Sequence, residues 1–89
     1  MNKEITEESI YKTIIELFTE YLKELTENKI EYKLTGRENL KEDLEFDDLA
    51  LIEITLILEH LFKIEIDDNM MEEFITIDSI SNIICKKIL

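Results

Sequence analysis

Eighty-nine residues make one small domain, spanning 1–89 and near the size at which a single hydrophobic core becomes marginal. Acidic residues outnumber Lys and Arg by 22 to 10, a formal charge of -12. That balance argues against nucleic acid, whose binding depends on neutralised phosphates, and against an anionic membrane surface; either it steers in proteins with basic patches as partners or it only keeps a small domain soluble. Cys85 is the only cysteine, so no internal disulfide forms, and its place in an apolar helical pattern suits packing. No run is apolar for long enough to span a membrane, and Met1-Asn2-Lys3-Glu4 does not begin a signal peptide. The expectation is a cytoplasmic monomer. Proline is absent, Gly36 is the one glycine, and the content of Ile, Leu, Glu and Lys suits helices. An all-α fold follows.

The first helix is predicted to start at Thr6 as N-cap, with Glu7 and Glu8 favourably placed against the helix dipole. Ile10, Ile14, Leu17, Phe18, Tyr21, Leu22 and Leu25 then recur at helical spacing, and the pattern fades near Glu27 and Asn28. A long polar stretch follows as far as Asp47. Gly36 is its clearest turn signal, and Leu40, Leu44 and Phe46 are the side chains expected to tie it to the core.

Asp47 is a good N-cap for a second helix running to about Phe62. Ten of its fourteen residues from Leu49 to Phe62 are apolar, too many for one face. At about 100° per residue they separate into two groups. Ala50, Leu51, Ile54, Ile57, Leu58, Leu61 and Phe62 form a broad face expected in the core. Leu49, Ile52 and Leu56 form a narrow stripe nearly opposite, flanked by Glu59 on one edge and by Glu53 and His60 on the other. Either the long loop folds over that stripe, or it is a surface on which a partner docks, or its residues are single exposed apolar side chains of the kind that simply occur.

Lys63-Ile64-Glu65-Ile66 reads as an extended connector with both isoleucines inward. Asp67 or Asp68 caps a short helix through Met70–Phe74. Thr76 caps the last helix, whose core face is Ile77, Ile80, Ile83, Ile84 and Ile88, with Lys86 and Lys87 in its final turn. The architecture expected is a four-helix bundle: three main helices, one short helix and a long first loop.

The run Asp43-Leu44-Glu45-Phe46-Asp47-Asp48-Leu49 resembles the attachment signature of the acyl carrier protein family, Asp-Leu-x-x-Asp-Ser-Leu. The resemblance continues without a gap from Asn39 to Phe62. It extends through Lys63-Ile64-Glu65-Ile66-Asp67-Asp68 and Thr76-Ile77-Asp78-Ser79-Ile80, so about half the chain matches specifically. It implies the four-helix carrier fold, a role in fatty-acid or polyketide-type acyl metabolism, and acyl-metabolism enzymes as partners. It also implies docking through the second helix, at Leu49, Ile52, Glu53, Leu56 and Glu59. Ala50 and His60 stand where the family commonly has acids, which makes this face less negative than usual.

The largest departure is Asp48, which stands at the position of the serine that bears 4'-phosphopantetheine, between the motif residues Asp47 and Leu49. Attachment needs a hydroxyl to attack a pyrophosphate and leave a stable phosphodiester; a carboxylate is a poorer nucleophile and would give a labile acyl phosphate. No cofactor is therefore expected with Asp48, whereas 4'-phosphopantetheine would be expected with serine there. Ser79 and Ser81 read as helix-start residues, and Ser9 lies outside the motif. Asp48 acts either as a first-turn carboxylate that stabilises the helix or as a fixed stand-in for the charge of the modified serine.

Other chemistries fit less well. The acids between Asp43 and Asp48 lack the glycine and the final glutamate of a calcium loop, and no metal site is expected. His60 has no nucleophile in a recognisable motif beside it, so the chain is not read as an enzyme. Three functions remain: protein recognition without carriage, a working carrier whose attachment serine has been substituted by engineering, and an adaptor unrelated to acyl transfer.

Overall fold

Four helices form within residues 5–89, the part of the chain that the computed structural model describes, and each begins at a residue whose side chain closes its first turn. Helix α1 is Glu7–Leu25, and the Thr6 hydroxyl accepts from the Ser9 N–H while the Ser9 hydroxyl accepts from the Thr6 N–H. Helix α2 is Asp48–Phe62, capped by the Asp47 carboxylate. Helix α3 is Asp68–Glu72, where Asp67 receives the Met70 N–H at 2.9 Å. Helix α4 is Ile77–Ile88, and Thr76 and Ser79 repeat the reciprocal bonding of α1. Each cap satisfies amides that a helix start would otherwise leave without partners.

Packing follows from the apolar spacing. Ile10, Ile14, Phe18 and Leu22 recur every fourth residue along α1 and are fully buried. Helix α4 faces α1 with Ile77, Ile80 and Ile84, all without exposure, and Cys85 is buried beside them. From α2 come Ile54 and Leu58. Each such side chain contributes about 1.5–3 kcal/mol on leaving water.

The long loop is part of this core. Leu40, Leu44 and Phe46 are buried, and the Phe46 ring stacks on Phe18 at 5.7 Å between centroids. The Leu40 N–H donates to the Ile75 carbonyl at 2.9 Å, and Asn39 pairs with Thr76 in an isolated antiparallel bridge. Further back, the Tyr11 hydroxyl donates to the Thr35 carbonyl at 2.7 Å and the Gly36 carbonyl accepts from the Asp78 N–H at 2.8 Å. The loop therefore closes an amide at the start of α4 as well as reaching the core. Burial pushes the Glu38 carboxyl up. Hydrogen bonds from the Thr35 and Gly36 amides, its own N–H and the Thr35 hydroxyl outweigh that and hold it below its usual range.

Three expectations need correction. The core face of α2 is narrower than the seven residues assigned to it, because Ile57 and Leu61 are 37% and 46% exposed. A domain this small has enough neighbouring surface to cover only one sector of the helix, centred on Ile54 and Leu58. Thr55 lies in that sector and is buried, its hydroxyl satisfied by the Leu51 carbonyl at 2.7 Å. Second, α3 stops at Glu72, and Phe74 leaves the helical path to enter the core. Leu25 at the end of α1 is also exposed rather than packed. Among the described residues one ion pair forms, Lys29 to Glu27 at 4.0 Å, with both side chains in solvent.

Candidate functional site

The segment leading into α2 is built by short-range side-chain bonds. The Asn39 side-chain oxygen receives the N–H groups of Lys41 and Glu42, both at 2.9 Å, and the Asp43 carboxylate receives the Asn39 N–H at 2.7 Å. Backbone bonds from Asp43 and Leu44 to the Asn39 carbonyl complete the turn, and the Phe46 N–H returns to the Leu40 carbonyl at 2.8 Å. Asparagine and aspartate mimic the backbone in this way, which is why they recur in turns. Glu45 adopts a left-handed conformation, φ 56, which a side chain with a Cβ tolerates poorly. Glu45→Gly should accordingly raise stability by about 0.5–1 kcal/mol, read from the denaturant midpoint.

Asp47 then takes extended backbone angles, and its carboxylate accepts from the Ala50 N–H at 2.8 Å. Asp48 is the first residue of α2 and is exposed, at the end where backbone amides and the helix dipole favour negative charge. Serine is absent from this turn. Ser9 and Ser79 are engaged in the caps of α1 and α4, and Ser81 is buried.

Leu49, Ile52 and Leu56 lie on the solvent side of α2, at 64%, 48% and 59% exposure, and the loop does not cover them. On the side of α3 a groove of about 350 Å³ runs along Ile52, Leu56 and Met71, with Glu59 and Asp68 also on its walls. A second hollow of about 600 Å³, sharing Met71 and Asp68, lies among Leu51, Asn39 and Phe74. Asp48 lines neither.

The two acids beside the stripe make internal bonds. The Glu59 carboxylate accepts from the Ile66 N–H at 2.8 Å, seven residues away, tying α2 to the connector that precedes α3. The Glu53 carboxylate accepts from the Tyr21 hydroxyl at 2.8 Å, which links α2 to α1. Burial, and then the bond to Glu53, push the Tyr21 hydroxyl up to about 12. His60 is exposed and lies outside any such arrangement. Among the described residues no group of three or more His, Cys, Asp or Glu is arranged to hold a metal ion, and no helix is long and apolar enough to cross a membrane.

Of the residues named from the sequence, Leu49, Ile52 and Leu56 share one exposed face, Asp47 and Asp48 stand at its N-terminal end, and Glu53 and Glu59 are drawn to opposite flanks. Asp43 opens the signature run, but its bond to the Asn39 amide, which shapes the approach, is not part of that signature; Asn-x-x-x-Asp ahead of a helix cap is the turn signal that carries it. The helical spacing marks Tyr21 for packing alone. Its tie to Glu53 spans 32 residues and has no local signature.

Comparison with known proteins adds two findings. The family model described as "Phosphopantetheine attachment site" matches residues 12–84. An acyl carrier protein of Buchnera aphidicola subsp. Baizongia pistaciae (strain Bp) is 40% identical over 57 residues, which cover 64% of this chain and 73% of that protein.

Proposed function

The chain belongs to the phosphopantetheine attachment site family, and on that premise we propose that it recognises the partners of carrier proteins without carrying an acyl group. A family of carriers supplies substrates to enzymes, and the chain is not itself an enzyme. The residues at the attachment position do not fit 4'-phosphopantetheine. Asp48 offers a carboxylate where a hydroxyl must attack, and the nearby turn has no serine to replace it.

The observation that carries the recognition reading is the exposed strip of Leu49, Ile52 and Leu56. The three side chains lie together on one helix face with acids at their edges, and an apolar patch rimmed by charge is the form that docking surfaces take. Acids surround the strip, and the formal charge of -12 would steer a basic partner toward it. Acyl-metabolism enzymes, the partners of this family, are the class proposed, in the cytoplasm. Asp48 would add a fixed negative charge where a modified serine would present its phosphodiester.

Replacing Ile52 or Leu56 by Glu tests this. Binding to a phosphopantetheinyl transferase, the enzyme class that installs the family's group, should weaken at least about tenfold, while the melting temperature stays within about 4 °C of the parent. A large loss of stability would instead make the strip part of the core. Binding that survives both substitutions, with capture only of proteins unrelated to acyl chemistry, would favour the adaptor reading.

A further inference from the structure

An exposed glutamate on a helix normally samples several rotamers, and a partner must order it before pairing with it. Glu53 differs from that picture. Its carboxylate is fixed by the Tyr21 hydroxyl at 2.8 Å, and no other hydrogen bond is made to it among the described residues. Tyr21 is in turn fixed by the core: its ring lies against Phe46 at 5.6 Å between centroids, and Phe46 stacks on the fully buried Phe18 at 5.7 Å. A continuous chain of contacts thus runs from the centre of the protein to one surface carboxylate.

The chemistry of the tie also matters. A lysine in place of Tyr21 would hold Glu53 equally well but would cancel its charge. A phenol donates one hydrogen bond and leaves the negative charge intact. A phenol keeps its proton throughout neutral conditions, so Tyr21 remains a donor there. Glu59 is a contrast: its bond to the Ile66 backbone amide satisfies the connector, and its side chain is partly buried.

We propose that Tyr21 is a positioning residue, which presets the Glu53 carboxylate to receive a Lys or Arg from a protein docked on the Leu49–Ile52–Leu56 strip. The inference rests on the reading of that strip as the docking surface. The ordering cost of Glu53 is then met during folding rather than at binding.

The test is the dissociation constant between the full chain and a phosphopantetheinyl transferase at low ionic strength, for the parent, Tyr21→Phe, Glu53→Gln and the double variant. Tyr21→Phe should weaken binding roughly three- to tenfold. Glu53→Gln should weaken it at least as much, and adding Tyr21→Phe to it should have no further effect. Glu53→Asp keeps the charge but withdraws the carboxylate from Tyr21 while α1 stays intact; it should also weaken binding roughly three- to tenfold, which keeps the test decisive where Tyr21→Phe fails to fold. Tyr21→Phe that lowers the melting temperature but leaves the constant unchanged would overturn the proposal, as would an equal loss with and without Glu53, or an indifferent Glu53→Asp. A parent chain that does not bind the transferase at all overturns the docking reading and this inference with it, an outcome distinct from a parent that binds and a Tyr21→Phe that binds equally well.

Discussion

Asp48→Ser should gain the 4'-phosphopantetheine arm when incubated with coenzyme A and a promiscuous phosphopantetheinyl transferase, whereas the parent chain should gain no mass. The expectation comes from what surrounds position 48. The Asn39–Asp43 turn, the Phe46 anchor and the Asp47 cap deliver the first residue of α2 to solvent by bonds that do not involve the Asp48 side chain. A serine placed there would present its hydroxyl on the same backbone. Intact-mass measurement decides the matter, and an unmodified Asp48→Ser would show that more than one letter of the site has been lost. Ready modification would support both natural loss of carriage and engineering of a working carrier. Asp48→Asn tests the carboxylate itself: weakened transferase binding in that variant indicates a recognition role of its own, and unchanged binding leaves it as a helix-end charge.

The second large effect is expected at Gly36→Ala. Gly36 has φ 96, a conformation that a Cβ disfavours, and an added Cβ would also collide with the Asp78 carboxylate and the Tyr11 hydroxyl. The Tyr11 hydroxyl is held by its bond to Thr35, whereas the Asp78 carboxylate can rotate aside, so the positive φ carries most of the effect. The strain should cost about 1–3 kcal/mol, lowering the melting temperature by at least about 5 °C. A melt within about 2 °C of the parent would mean that the loop is not held against α1 and α4 in this way.

The two substitutions also mark what could be read from the sequence. Thr6, Asp47 and Thr76 announce helix starts because capping is local chemistry, carried by a hydroxyl or carboxylate and the amides two or three residues ahead. Leu40, Leu44 and Phe46 are legible as anchors because they are isolated apolar residues in a polar stretch. The bonds Tyr11 to Thr35, Asp78 to Gly36 and Tyr21 to Glu53 join residues far apart in the chain, and no periodicity encodes which of many polar side chains will meet. Ile57 and Leu61 show a different limit. A helical wheel orders side chains by angle, but the width of the buried sector is set by how much neighbouring surface the rest of the fold supplies.

Among the described residues the one ion pair is the weak, solvent-exposed contact of Lys29 with Glu27, and this has a consequence for how the molecule behaves among ions. Its 22 acids outnumber its 10 lysines and arginines, so dissolved cations gather around them as a loose atmosphere. A basic protein arriving at α2 must displace part of that atmosphere, and two copies of the chain must push theirs together. Ionic strength thereby becomes a dial on association: dilute salt favours a basic visitor and keeps like from like, while concentrated salt erases both preferences.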